Sequence, residues 1–307
     1  MRYLSLYDIP LYPSLLGLGT LTALILHYYE VCPPLDAFLD LLGGNRSLEH
    51  VDLAIEFDEF PAPTSQHRDV IMSRLKYLSI TSWDVFVART MISSIPLPRG
   101  VHLEITFRNV DDGLGLNDIL TGISVTHLSN LSSPTHMEYV SHPRMIQLTG
   151  PNGSFIYSHE WSTRGWYHGV PFMEFPILPL TNVQELRLVH SLPPTVFHPS
   201  SFPALEKFTI EDNADLSLLL SALLSNPSAS SLKTLKFRDC ILTEEFMEEL
   251  TQSVSDRGNT TSSRLQRVVI AHLDGKFPTT DSIQELGKRV PVVDVTTLGW
   301  VWIHERI

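Results

Sequence analysis

Residues 232–242 read LKTLKFRDCIL, and this stretch decides the fold. Its apolar positions follow the pattern L-x-x-L-x-L-x-x-C-x-L, with Leu232, Leu235, Phe237, Cys240 and Leu242. The alternation of apolar and polar residues predicts a short strand, because successive side chains of a strand point to opposite faces. Cys240 then falls in the turn that leaves the strand. There a small thiol fills space, and this role is favoured over that of a reactive thiol.

The first six positions of this pattern recur along the chain. Copies begin at Leu21, Leu48, Leu75, Val183, Leu205 and Leu265, with a looser copy at Val101 and an incomplete one at Met1. The copy at Leu205 places Asn213 where residues 232–242 have Cys240. Between the copies, helical spacing and N-capping residues predict helices over 36–42, 83–95, 214–225, 243–254 and 279–290. One such unit cannot bury its own apolar face, so neighbouring units are expected to stack into a parallel sheet backed by helices.

This is the pattern of leucine-rich repeats. We predict an α/β fold, a leucine-rich-repeat solenoid or horseshoe with irregular repeats, that spans residues 1–307 as a single domain. The same register accounts for the apolar run LLGLGTLTALIL at 15–26, which otherwise looks like the core of a signal peptide. Pro10 and Pro13 interrupt its approach and no small-residue cleavage site follows, so we interpret the run as a short convex segment and the next strand.

Residues 126–180 break the repeat pattern and are predicted to form an irregular insertion. Within this segment, 144–148 and 154–161 are expected to pair as antiparallel strands. The residues between them, Gly150-Pro151-Asn152-Gly153, have strong turn chemistry. The sequence therefore predicts a β-hairpin insertion in the solenoid.

Aromatic residues are concentrated directly after this hairpin, in Trp161 and in STRGWYHGVPFMEFP at 162–176. Trp161, Trp166 and Tyr167 lie close in sequence to Arg164, and aromatic residues with arginine are typical of interface hot spots. The same rings are compatible with covering a sheet edge or forming a small core of the insertion, since aromatic residues bury large areas wherever they fall. Both interpretations stay open at this point.

The composition excludes several classes of function. The chain has 34 acidic and 22 basic residues, for a formal net charge of −12. Such a chain is a poor match to sequence-independent nucleic-acid binding, and it lacks the cationic face that anionic membranes attract. Its two cysteines, Cys32 and Cys240, are far apart and fit a reducing compartment, so a cytoplasmic or nuclear location is expected.

Motifs that carry chemistry are absent from the sequence. There is no H-E-x-x-H, no paired C-x-x-C, no G-x-S-x-G and no complete phosphate-binding loop. His159, Glu160 and His168 lie near each other in the insertion, and a hydrolytic or metal site there is kept as a third hypothesis. We expect no enzyme activity, no catalytic residue, no cofactor and no metal, because solenoids of this kind more often bind proteins.

The repeats LTALIL, LEHVDLAI, LKYLSI, VQELRL, LEKFTI, LKTLKFRDC and LQRVVI resemble the leucine-rich-repeat half of F-box proteins, particularly the expanded sets of mushroom-forming fungi. In such proteins the F-box precedes the repeats and docks on the adaptor subunit of a cullin-type ubiquitin ligase, while the repeats select the substrate. The resemblance implies the substrate-recognition part of a ubiquitin-ligase receptor.

The F-box itself has no counterpart here, because the pattern begins inside a repeat at Met1. A fragment, or a gene model that lacks its first exon, is therefore expected, and the cullin-ligase adaptor is an expected partner only if an F-box lies upstream. The alternative is a free-standing leucine-rich-repeat binding protein with no ubiquitin link.

Candidate partner-binding residues are of two kinds. On the strands they are the solvent-facing positions between the core leucines, His50, Tyr77, Lys207, Lys233 and Arg267. In the insertion they are the aromatic cluster and its arginine, Trp161, Arg164, Trp166 and Tyr167. We expect a protein partner on the concave face or on the aromatic insertion, and neither a nucleic acid nor a membrane.

Overall fold

The computed structural model describes residues 2–8, 20–28, 35–55, 69–83, 85–108, 116–121, 123, 127–140, 144–160, 178, 180–190, 199–212, 216, 224, 231–260, 264–272 and 278–297. The chain divides into two compact units. The N-unit comprises Met1–Pro134 and Pro143–Pro179, and the C-unit comprises Thr135–His142 and Leu180–Ile307. Each unit is α/β with a mostly parallel sheet, whereas one continuous leucine-rich-repeat solenoid over residues 1–307 stays a prediction.

The strands are short and spread along the whole described chain: β1 (Tyr3–Tyr7), β2 (Ala23–Tyr28), β3 (His50–Ile55), β4 (Tyr77–Ser82), β5 (Val101–Arg108), β6 (His136–Val140), β7 (Arg144–Gly150), β8 (Gly153–Glu160), β9 (Glu185–Val189), β10 (Lys207–Glu211), β11 (Thr234–Arg238), β12 (Arg267–His272) and β13 (Val292–Thr297). The helices are α1 (Leu35–Gly44), α2 (Val85–Ser94), α3 (Leu116–Leu120), α4 (Glu244–Thr260) and α5 (Thr280–Gly287).

In the N-unit, β1 to β5 pair in chain order and all in parallel. The predicted register is confirmed, because equivalent apolar positions align across the strands and are fully buried. One such row is Leu24, Val51, Leu78 and Leu103, and the next is Leu26, Leu53, Ile80 and Ile105. Burying a side chain of this size contributes about 1.5–3 kcal/mol, so these rows form the core of the unit.

The predicted hairpin is also confirmed. β7 and β8 are antiparallel, and β8 continues the sheet by pairing in parallel with β5. Gly153 has a φ of 131°, and a side chain there would collide with the backbone oxygen of Val101, so the turn requires glycine at this position. The strands run from Arg144 to Gly150 and from Gly153 to Glu160, and Trp161, the predicted last residue, lies outside the described residues.

In the C-unit, β6, β9, β10, β11, β12 and β13 pair in that order and all in parallel. Their buried rows again carry the repeat positions. One is Met137, Leu186, Phe208, Leu235 and Val268, and the next is Tyr139, Leu188, Ile210, Phe237 and Ile270.

The leucine pattern does not predict β6 or β13. β6 lies inside the segment 126–180 that was predicted to be irregular, yet it pairs with β9 in the common register. Its inward residues are Met137 and Tyr139, which stand where other copies have leucine or a similar aliphatic residue. β13 follows the predicted helix over 279–290 and carries valines, with buried Val290 in the place of the first leucine.

The predicted helices are present wherever the structure describes them. α1 and α2 match 36–42 and 83–95 to within a few residues, and the segment 214–225 lies almost entirely outside the described residues. α4 runs to Thr260, beyond the predicted end at residue 254. Arg257 is buried there and its Nη2 donates to the carbonyl oxygen of Leu232 at 3.3 Å, so its aliphatic stem extends the apolar face by one turn.

Left-handed residues end four of the strands, each with φ near 50°: Asp8, His190, Asp212 and Asp239. Each backbone N–H donates to a carbonyl oxygen of the next strand in the sheet, as from Asp239 to Ala271 at 2.8 Å. Cys240 follows directly and is fully buried, with its Sγ 3.4 Å from the carbonyl oxygens of Ile210 and Arg238. The predicted role of Cys240 in the turn that leaves the strand is confirmed.

Candidate functional site

Each sheet has one apolar face, which forms the core, and one polar face. The outward face of the N-unit, the N-face, is formed by alternate residues of β2 to β5 and β8, and its polar residues include His27, His50, Asp52, Tyr77, Ser79, His102, Glu104 and Ser154. The outward face of the C-unit, the C-face, is mostly polar and carries His136, Glu138, Glu185, Arg187, Lys207, Thr209, Glu211, Thr234, Lys236, Arg238, Arg267 and Asp294 among a few valines and an alanine. Since side chains alternate along a strand, these residues point away from the core rows.

A row of rings crosses the N-face. His50, Tyr77 and His102 occupy the same register position on β3, β4 and β5. The rings of Tyr77 and His102 are stacked, with centroids 5.3 Å apart and an interplanar angle of 7°. The ring of His50 lies 6.1 Å from that of Tyr77, and His102 Nδ1 is 2.5 Å from Ser154 Oγ, so hydrogen bonding and stacking fix the row.

Carboxylates border this row. The Tyr77 hydroxyl donates to Glu104 Oε2 at 2.7 Å. Burial, and then the hydrogen bond to Glu104 and its negative charge, raise the pKa of Tyr77 to about 12, because all three favour the neutral phenol. Asp52 is on the same face, separated in register from Glu104 by Ser79, and its Oδ2 lies 3.6 Å from His27 Nε2. Partly or fully exposed rings next to acidic groups suit a partner that offers apolar contacts together with hydrogen-bond donors.

Arg187 is the centre of an ionic network on the C-face. Its Nη1 donates to Glu138 at 2.9 Å, and its Nη2 and Nε donate to Glu211 Oε2 at 2.6 and 3.0 Å. Burial acts to lower the pKa of Arg187, but the hydrogen bonds and charges of Glu211 and Glu138 outweigh burial and raise it. Three neighbouring strands, β6, β9 and β10, are thereby linked by charge-assisted hydrogen bonds.

Three other cations of the C-unit each have an acidic partner on an adjoining strand or loop. Lys207 Nζ donates to Glu185 at 3.0 Å, and Arg267 Nε donates to Asp294 at 2.7 Å. Lys233, one residue before β11, donates to Glu206 at 2.7 Å. These pairs are partly exposed, so they contribute little to stability and mainly hold the side chains in place.

The structure brings together some of the residues predicted to bind a partner. His50 and Tyr77 are in ring contact on the N-face, Lys207 and Arg267 lie on the C-face, and Lys233 lies one residue before β11, paired with Glu206. Trp161, Arg164, Trp166 and Tyr167 fall outside the described residues, so both interpretations of the aromatic cluster stay open.

Sequence reasoning did not single out His102, Glu104, Arg187 or Lys236. The signal was available, because these residues occupy outward positions of strands whose inward positions fit the repeat. Arg187 and Lys236 are the central outward residues of their strands, whereas the predicted positions lie one and two residues after the first leucine of each copy. His102 shares the register position of Tyr77, but the looser copy at Val101 obscures this position.

Neither a metal centre nor a membrane span can be built from the described residues. In that part of the chain, no group of three or more histidine, cysteine, aspartate or glutamate side chains is placed to hold a metal ion. Nor is any described helix both long and apolar enough to cross a bilayer. His159 and Glu160 lie at the end of β8, and His168 lies outside the described residues.

Comparison with known proteins provides no family. No protein-family model matches the chain, and no curated protein matches it. Among solved structures, a Bacteroides fragilis protein from a structural genomics programme is similar over 91% of this chain, with 14% sequence identity and a TM-score of 0.37. The match spans 66% of that protein's chain.

Proposed function

We propose that this protein is a leucine-rich-repeat scaffold that binds a protein partner through the polar faces of its sheets. The mechanism is binding rather than catalysis, and we place it in a reducing intracellular compartment. The support is the difference between the two sides of the inner strands: their inward positions are apolar and buried, while many outward positions present polar, charged or aromatic groups in register. Solenoids use such extended faces for binding.

The row His50–Tyr77–His102 is the observation that carries the proposal. Three adjacent strands present rings at one register position, on the face opposite the core, and Tyr77 is only half-buried. Tyrosine is among the residues that dominate binding energy at protein interfaces, because its large ring loses little conformational entropy when it is covered. Stacking on His102 and the hydroxyl bond to Glu104 hold the ring in place before a partner arrives.

Affinity capture with matched variants tests this proposal. The tagged chain is incubated with an extract of the organism that encodes it, and bound proteins are quantified for the wild type, Tyr77→Ala and Ile71→Ser. Ile71 is 74% exposed and lies outside the strands, so its variant controls for loss of exposed apolar surface.

A hot-spot tyrosine contributes at least 2 kcal/mol, so Tyr77→Ala should weaken capture of a specific partner about thirtyfold while Ile71→Ser leaves it unchanged. Thermal unfolding of both variants checks that the fold persists. Equal capture by the wild type and by folded Tyr77→Ala would overturn the proposal.

We further propose, on the resemblance to F-box proteins, that the chain is the substrate-recognition part of a ubiquitin-ligase receptor. The alternative is a free-standing leucine-rich-repeat binding protein. Mapping the 5′ end of the transcript separates them. An upstream reading frame that encodes a short leucine- and proline-rich helical module would support the receptor, and a transcript that starts at Met1 would favour the free-standing protein.

A further inference from the structure

The centre of the C-face carries positive charge that the described acidic residues do not neutralise. Lys236 lies in the middle of β11, and its register neighbours are Thr209 on β10 and Val269 on β12, neither of which is charged. Among the described residues, Lys236 has no hydrogen bond or ion pair. Partial burial, and then the nearby charges of Arg238 and Lys207, lower its pKa, and the smaller opposing effect of Glu211 does not offset them.

Arg238, two residues further along the same strand, is incompletely paired. Its Nε is 3.4 Å from Glu211 Oε1 but has no hydrogen-bond partner in the described part of the chain. The other oxygen of Glu211 already accepts two hydrogen bonds from Arg187. One carboxylate is thus shared between two guanidinium groups, and Arg187 holds the larger share.

The remaining carboxylates of the C-face are engaged elsewhere. Glu138 accepts from Arg187, Glu185 from Lys207, and Asp294 from Arg267. None of them can turn toward Lys236 without leaving its own cation unpaired. The surplus positive charge is therefore confined to β11, in a chain whose formal net charge is −12.

We propose that Lys236 and Arg238 bind carboxylate side chains from an extended acidic segment of a protein partner. This inference rests on the proposed function and names the chemistry of the partner. Residues two apart on a strand are about 6.4–6.8 Å apart and point to the same side. An extended segment with acidic residues at alternate positions has the same spacing, so it places one carboxylate over each cation. Both contacts are charge-assisted hydrogen bonds, which are about twice as strong as neutral ones.

A synthetic peptide tests the proposal directly. The full chain is titrated into a fluorescently labelled seven-residue peptide with alternating serine and glutamate, and anisotropy reports binding. The same peptide with glutamine in place of glutamate is the ligand control. The protein variants are Lys236→Gln, Arg238→Gln and the matched control Arg289→Gln, which removes one exposed positive charge after the end of α5.

Loss of one charge-assisted contact should weaken binding of the glutamate peptide about tenfold in Lys236→Gln and in Arg238→Gln. Arg289→Gln should bind within about twofold of the wild type, because it keeps both β11 cations and removes a charge elsewhere. The glutamine peptide should not bind, because it has no carboxylate to offer either cation. The overall charge of the protein repels the peptide, so binding requires a local cationic site.

Three results would overturn the inference: no binding of the glutamate peptide, equal binding by Lys236→Gln, or binding that Arg289→Gln weakens as much. A phosphoserine peptide or a single-stranded oligonucleotide that binds through Lys236 when the glutamate peptide does not would also overturn it. If the peptide fails while capture still depends on Tyr77, the scaffold proposal stands and only this inference falls.

Discussion

Two substitutions in β11, one at an inward and one at an outward residue, test most directly which face of the sheet is the core. Leu235 is fully buried, between Phe208 and Val268 in the apolar row of the C-unit. Lys236 is the next residue and points to the opposite face, where no described residue pairs with it. The variants Leu235→Ala and Lys236→Ala therefore compare a core position with a face position one residue apart.

The expected magnitudes differ by several kcal/mol. Leu235→Ala removes buried apolar atoms and leaves a cavity in a row that is packed on both sides, which costs about 2–5 kcal/mol. Lys236→Ala removes a partly buried cation that has like-charged neighbours, so the free energy of unfolding should change by less than about 0.5 kcal/mol. Leu235→Asp would bury an unpaired carboxylate, and its cost of more than about 4 kcal/mol should unfold the strands around β11.

Urea unfolding followed by circular dichroism measures these differences, and hydrogen exchange of peptides that cover β10, β11 and β12 locates them. We expect faster exchange in Leu235→Ala and wild-type exchange in Lys236→Ala. If Lys236→Ala destabilises the protein as much as Leu235→Ala does, the register of β11 is shifted by one residue and the assignment of its faces is wrong.

Three further predictions concern the network, the tyrosine and the hairpin. Arg187→Gln should destabilise the C-unit by about 1 kcal/mol at low salt and by less at about 1 M NaCl, as measured by urea unfolding, because the ion pairs are partly exposed and screened. Equal effects at both salt concentrations would refute the ionic origin. Tyr77, with a pKa of about 12, should stabilise the fold fully below pH about 10 and lose this contribution as the pH rises toward 12. Ultraviolet titration against Tyr77→Phe should show this late ionisation, and Glu104→Gln should move it to lower pH; an unchanged titration in Glu104→Gln would contradict the assigned hydrogen bond. Gly153→Ala should cost about 1–3 kcal/mol in thermal or urea unfolding, because alanine disfavours a φ of 131°, and a fully stable variant would show that the turn is different.

The repeat pattern predicted the core because the buried positions of a strand require apolar residues at a fixed spacing. Leu24, Leu78 and Leu235 were placed by spacing alone, and each is fully buried in the expected row. The hairpin was predicted for a similar local reason, since the residues of a tight turn are chosen by backbone geometry at Gly150 and Gly153.

The strands β6 and β13 could not be found in the same way. Their inward positions hold methionine and tyrosine in β6 and valine in β13, and these residues do not form the leucine pattern. Met137 and Tyr139 are buried as well as a leucine would be, whereas Val295 on the last strand is partly exposed. Only the pairing of Met137 with Leu186 across the sheet identifies β6 as a copy of the repeat. Volume, rather than residue identity, is what the core requires.

The candidate site was predicted only in part for a different reason. The polar faces depend on which side chains meet across strands that are far apart in sequence. The contact of Tyr77 with Glu104 and the network around Arg187 depend on how the strands are aligned. A local sequence pattern does not predict this alignment. Sequence alone therefore located His50, Tyr77 and Lys207 as outward residues but not the groups that hold them in place.

Site-specific photo-crosslinking tests the central claim, that the polar sheet faces bind a protein partner, most directly. A photoreactive residue is placed at His50, which is exposed on the N-face, and separately at Ile71, which is exposed outside the strands. After irradiation in an extract of the encoding organism, we predict a crosslink from position 50 to one protein, and its loss when Tyr77→Ala is added. Crosslinks to the same protein from position 71 alone, or from both positions whether or not Tyr77 is present, would contradict the account.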